Sequence, residues 1–113
     1  MHELSLSQSI VDLVAECARK EGMHSVTRVV VEIGVAAGVE MEALKFCFDA
    51  VAAGSSIQGA TLHIDAVPLA ARCEGCGGEF QPEGIVASCP ACGSYAFRIL
   101  KGRELRVKSF DGE

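Results

Sequence analysis

Four cysteines stand in two short knuckles, Cys73-Glu-Gly-Cys76 and Cys89-Pro-Ala-Cys92, with twelve residues between them. Cys-x-x-Cys pairs at this separation can set four thiolates around one tetrahedral ion, zinc before others, with Zn–S bonds of about 2.3 Å. Gly77, Gly78 and Gly93 follow the knuckles, and glycine tolerates the positive φ that a tight turn around sulfur requires. Pro90 stiffens the second knuckle. The linker 77–88 holds Gly78, Pro82 and Gly84 and few apolar residues, so metal binding is expected to supply part of the folding energy of this segment. Four protein sulfurs leave no open coordination position, which makes the expected site structural rather than hydrolytic. The same sulfur set also suits iron in a rubredoxin-like electron carrier. Disulfides or a redox Cys-x-x-Cys are further readings, but one metal site accounts for both pairs together.

The second place where residue types can do chemistry is Met1-His2-Glu3, ahead of the first helix. His2 is too near the terminus to be a core residue. The Met1 amine, the deprotonated His2 amide and His2 Nδ1 can form consecutive chelate rings around one ion. Three nitrogens nearly in a plane suit Ni(II) or Cu(II). A fourth ligand can come from Glu3, or from Glu40 if the second helix starts nearby. His24, in a loop, and His63, on the polar side of a strand, read as surface histidines. Cys17 and Cys47 read as small buried hydrophobes on helices.

These sites need a frame, and the apolar pattern supplies one. Ser5-Leu-Ser-Gln8 can form a capping box, and Leu6, Ile10, Leu13, Val14 and Cys17 then recur on one helical face as far as Gly22. Val29, Val31 and Ile33 alternate with Arg28, Val30 and Glu32, which predicts a strand over 25–33 with one buried face. A second helix is expected from about Glu40 to Gly54, with Leu44, Cys47, Phe48 and Val51 on one side. Thr61–Val67 alternates again and stops at Pro68. After the knuckles, Phe97–Phe110 reads as one strand with Leu105 and Val107 inward and a bulge at Gly102. The expected fold is α+β: a small, mostly antiparallel three-stranded sheet covered on one face by two helices, with a zinc-ribbon-like module inserted before the last strand. The expected domains are 1–69 plus 98–113, carrying the nickel site, and 70–97, carrying the zinc.

Composition narrows the function. The chain has 113 residues, half of them apolar and 22% charged, with a formal charge of −5. Four thiolates holding one divalent ion add a further −2, a poor balance for a nucleic-acid binder. No apolar run approaches the roughly 20 residues of a membrane helix. The start lacks the basic residues of a signal peptide, and free cysteines fit the cytoplasm. No Ser/His/Asp set, phosphate-binding glycine loop or paired carboxylates around an open metal position argues for an enzyme. Arg98, Lys101, Arg103, Arg106 and Lys108 cluster late, facing only Glu104 among acids. The plain reading of that cluster is a solvated strand face; the sharper one is a docking edge for an acidic partner. A zinc-ribbon adaptor in transcription or ribosome work is a further reading, which the acidity opposes.

Several stretches occur together in one order: Met1-His-Glu-Leu-Ser5, Val31-Glu-Ile-Gly34, Glu42-Ala-Leu-Lys-Phe46, the paired knuckles, and Gly102-Arg-Glu-Leu-Arg-Val-Lys-Ser109. In this the chain resembles the hydrogenase maturation nickel metallochaperones, the HypA/HybF family, over nearly its whole length. The resemblance implies a nickel site at His2 with Glu3 assisting, and a structural zinc on Cys73, Cys76, Cys89 and Cys92. Glu40 enters only as a nickel neighbour. It further implies a carrier that hands Ni(II) to the large subunit of nickel–iron hydrogenase with a partner GTPase, some members also serving urease maturation proteins. No nucleic-acid or membrane partner is implied, and the expected state is a monomer or homodimer.

Overall fold

The structure, a computed structural model, describes residues 2–84 and 86–113. The elements run α1 (Glu3–Lys20), β1 (Val26–Gly34), α2 (Met41–Ala53), β2 (Thr61–Val67), β3 (Ala70–Cys73), β4 (Glu79–Phe80), β5 (Phe97–Lys101) and β6 (Leu105–Gly112). They form two three-stranded sheets, in the orders β2-β1-β6 and β4-β3-β5. The two helices, the three-stranded sheet and the cysteine module are those expected of an α+β chain; the second sheet is an addition. Its strands β3 and β4 have four and two residues and lie beside the knuckles, too short to show an alternation.

The chain divides into two compact units, one running to Glu32 and including Gly38–Asp65 and Arg106–Glu113, the other made of Ile33–Ala37 and Ala66–Leu105. In the first, Ile10, Val11 and Val14 of α1, Leu44 and Phe48 of α2, and Val29 and Val31 of β1 are buried, with Ile57, Ala60 and Leu62. The helices run in the same direction. The Ser7 hydroxyl donates to the Leu44 carbonyl at 3.3 Å, and the Glu40 N–H donates to the Glu3 carboxylate at 3.1 Å, each bond joining residues 37 apart.

Several local expectations shift. α1 begins at Glu3 with His2 as its N-cap, so Ser5 lies inside the helix and caps nothing; Ser9 instead donates to the Ser5 carbonyl. The buried stripe of α1 is Ser7, Ile10, Val11, Val14 and Ala18, leaving Leu13 exposed and Cys17 half-buried. Cys47 is half-buried as well, so both cysteines line the rim and not the centre of the core. β1 buries Val26 and Val30 besides the expected face, because it is the middle strand of its sheet. The long strand expected over Phe97–Phe110 is two strands in different sheets, broken at Gly102, whose φ is +120°.

That break is packed tightly. A Cβ built on Gly34 would lie 2.0 Å from the Gly102 carbonyl carbon, a backbone atom that cannot rotate away. Overpacking of this kind costs about 3 kcal/mol or more. Gly34→Ala should therefore lower Tm by roughly 10 °C or more. Gly54→Ala should change it little, since its Cβ would meet nothing closer than 3.9 Å. Equal melting of the two variants would show that the close approach relaxes freely.

Candidate metal centres

The two knuckles are copies of one turn. Gly77 N–H donates to the Cys73 carbonyl at 2.9 Å, and Gly93 N–H to the Cys89 carbonyl at 2.8 Å. Both glycines are left-handed, with φ of +76° and +77°, which excludes an L side chain without strain. The cysteine ahead of each turn is tied back by its own N–H, Cys73 to the Gly78 carbonyl and Cys89 to that of Ser94, both at 2.8 Å. Each knuckle thus closes on itself before any metal is considered. β3 ends at Cys73 and the Glu74 N–H bonds the Ala96 carbonyl, anchoring the first knuckle to the chain that leads into β5.

This brings all four sulfurs together, within 4.8 Å of one another. Cys73 and Cys92 stand 3.4 Å apart and Cys76 and Cys89 3.7 Å. Zn–S bonds of about 2.3 Å imply S···S edges of about 3.8 Å, so the spacing fits a tetrahedral ion such as zinc. It is too long for a disulfide, whose sulfurs lie about 2.05 Å apart. Cys73 and Cys89 are buried while Cys76 and Cys92 are exposed, so one side of the cluster faces solvent.

Electrostatics sets Cys73 and Cys92 apart. The Cys76 N–H aimed at Cys73, helped by the Cys92 thiol and the Gly75 N–H, outweighs burial and lowers the Cys73 thiol to about 6. Cys92 receives the Ser94 N–H, which favours its thiolate. Crowding by the Cys73, Cys89 and Cys76 sulfurs, with desolvation, outweighs that contact and pushes it up to about 11. A second negative charge beside the first is the costly one. A divalent ion removes that cost and draws all four protons off.

Beside the four sulfurs the second unit has a small apolar core of its own. Phe80 and Phe97 meet edge to face at 5.4 Å between ring centres, with Leu69 and Ala71 buried. The linker 77–88 is itself poor in apolar residues, and no sequence pattern marks the aromatic pair, whose members are 17 positions apart and alternate with nothing.

At the other candidate site, His2 is exposed at the N-cap of α1, with φ −82° and ψ +105° and no capping bond from its ring. Glu3 is half-buried, and its carboxylate accepts the Glu40 N–H. That bond, with Glu3's own backbone N–H, holds the carboxyl below its usual range. Glu40 is itself the N-cap of α2, its carboxylate accepting the Glu42 and Ala43 N–H groups at 3.4 and 2.6 Å. Glu3 and Glu40 are therefore brought together, each already holding backbone N–H. The sequence gives no sign of this pairing beyond an acid at each helix start. The Met1 amine lies outside the described residues. His24 and His63 are exposed, His63 beside Asp65 at 3.0 Å.

A helix-and-sheet unit and a short sheet with a self-closing four-cysteine knuckle pair define a small metal-binding protein whose sulfur cluster fits a structural metal such as zinc. The chain belongs to the HypA family, described as hydrogenase/urease nickel incorporation, metallochaperone, which matches residues 1–112. Among curated relatives it is 46% identical to the hydrogenase maturation factor HybF of Klebsiella pneumoniae over 113 residues, all of each chain. It is 50% identical to HypA of Chlorobaculum parvum over 50 residues, a segment that spans 44% of either protein. The solution structure of the Ni metallochaperone HypA from Helicobacter pylori superposes with a TM-score of 0.69 at 29% identity, covering 99% of this chain and 97% of that one. A further HypA solution structure gives 0.74 at 29% identity, covering 100% and 97%.

Proposed function

We propose that this protein is a nickel carrier for hydrogenase maturation: it takes up Ni(II) at its amino-terminal end and keeps a permanent zinc in the knuckles. The observation that supports this best is the family match over residues 1–112 joined to an exposed His2 at the start of α1. His2 supplies ring and amide nitrogen, the Met1 amine a third nitrogen, and Glu3 or Glu40 the remaining position. A carboxylate that already holds a backbone N–H is a weak, exchangeable ligand, which suits a protein that must give its cargo up. Cys73, Cys76, Cys89 and Cys92 hold zinc and take no part in transfer. The cargo is received by the large subunit of nickel–iron hydrogenase with the help of a maturation GTPase, in the cytoplasm, and the protein carries out no catalysis. No helix among the described residues is long and apolar enough to cross a membrane.

Nickel capture on this reading displaces protons from an amine of pKa about 7.7–8.0, an imidazole of about 6.5 and an amide. Protons compete as pH falls, so apparent nickel affinity should drop steeply between about pH 8 and pH 6. Zinc stays bound over much of that range. Isothermal titration with Ni(II) at stepped pH, with metal analysis of each sample, checks both. An affinity independent of pH would mean that carboxylates alone hold the ion. A sulfur-to-iron absorption band in the purified protein would instead favour the rubredoxin-like reading.

A further inference from the structure

We propose that the free edge of β5 accepts an extended segment of another protein in which acidic and apolar residues alternate. The five late cations divide into two sets. On β6, Arg106 pairs with Glu32 at 2.6 Å and Lys108 with Asp65 at 3.5 Å. Arg98, Lys101 and Arg103 have no ion-pair partner among the described residues, although the chain as a whole carries a charge of −5. Two of these three lie on β5, an outer strand of the order β4-β3-β5, so one side of its backbone has no sheet neighbour among the described residues.

The register across this sheet specifies what would fit there. Glu79 lies opposite Arg72, and Arg72 lies opposite Arg98. The first pair is joined by an ion pair at 3.4 Å; the second sets two like charges directly across from one another, an unfavourable arrangement in a sheet. An acid on an added strand, opposite Arg98, would complete the row as acid, Arg72, Arg98, acid, so that each arginine has a carboxylate on its outer side and the repulsion is offset. The adjacent row runs Phe80, Ala71, Ile99 and calls for an apolar residue next. Leu100, left unpaired by the register shift between Ile99 and Lys101, stays 37% exposed on the same strand. Main-chain bonding to the edge would give affinity and the two rows would give the preference, as in other cases of strand addition. This surface is independent of the nickel reading, and its test uses no nickel.

The test takes the zinc-loaded full chain and a fluorescein-labelled peptide of alternating Glu and Val, seven residues long. Anisotropy should report saturable binding, and hydrogen exchange should report new protection at residues 97–101. A Lys/Val peptide should not bind. Arg98→Glu should weaken binding at least tenfold and raise the free protein's melting midpoint, because it removes the clash with Arg72; Arg106→Glu should leave binding unchanged. N-methylation of one alternate set of peptide amides should abolish binding, whereas methylation of the other set should be tolerated. Equal loss from both sets or from neither, protection appearing elsewhere, or equal competition by a single-stranded oligonucleotide would overturn the proposal in favour of unspecific charge attraction.

Discussion

Replacing Cys73 by Ser should release the zinc and open the second unit while the helical unit stays folded. Structural zinc sites in small domains contribute on the order of 10–16 kcal/mol of binding energy at neutral pH, which is folding energy wherever the site does not otherwise form. The apolar groups beside the knuckles are few, an aromatic pair with Leu69 and Ala71, so they cannot replace it. Cys73 is also the last residue of β3 and the sulfur on which two backbone N–H groups converge, so its loss removes a strand end together with a ligand. The first unit has its own core of Ile10, Val14, Val29, Leu44 and Phe48. Metal analysis should fall from one zinc to well below one per chain. Limited proteolysis should cut rapidly between residues 73 and 97 and leave α1, β1 and α2 resistant. An intact, protease-resistant second unit without zinc would mean that the aromatic pair suffices, and the structural role of the metal would be lost.

The complementary substitution, His2→Ala, should remove specific nickel binding and leave everything else. His2 is exposed and caps no N–H with its ring, so deleting the imidazole exposes no core and breaks no bond of the fold. Its loss takes away the ring nitrogen and the chelate ring that it closes with the residue-2 amide, and apparent affinity should fall by about three orders of magnitude or more, a loss of about 4 kcal/mol. Zinc content and Tm should match the parent. A parent-like nickel affinity would move the site elsewhere, and a loss of zinc in this variant would show that the two sites share ligands. A Gly placed ahead of Met1 tests the amine separately, because His2 would then stand third in the chain and close a four-nitrogen plane that should exchange nickel more slowly.

How much of this was legible in the sequence depends on the range of the interaction. The four sulfurs were, because tetrahedral coordination imposes a local spacing, Cys-x-x-Cys, and a glycine at the one turn position that needs positive φ. The helices and β1 were, because their apolar periods run over many residues. Their edges were not: Ser5-Leu-Ser-Gln8 has the form of a capping box, yet a bond from the distant Glu40 to Glu3 accompanies a start nearly one turn earlier. Nor was the break at Gly102, since strand pairing partners decide where one strand ends and the sequence alternates across the join. Glu3 and Glu40 were visible as residue types only, their adjacency being a property of helix packing.

That packing has a consequence for which changes of length the chain can tolerate. The two bonds between α1 and α2 connect Glu3 to Glu40 and Ser7 to Leu44, so both have the same offset. An extra residue in the turn after α1 or in the stretch before Glu40 changes both offsets equally and leaves the match between the helices intact. An extra residue between Glu3 and Ser7, or between Glu40 and Leu44, changes one offset and not the other, and the two bonds can no longer form together. The spacing inside each helix start is thus held to one value, while the turn after α1 and the stretch before Glu40, on either side of β1, can change length without disturbing the match.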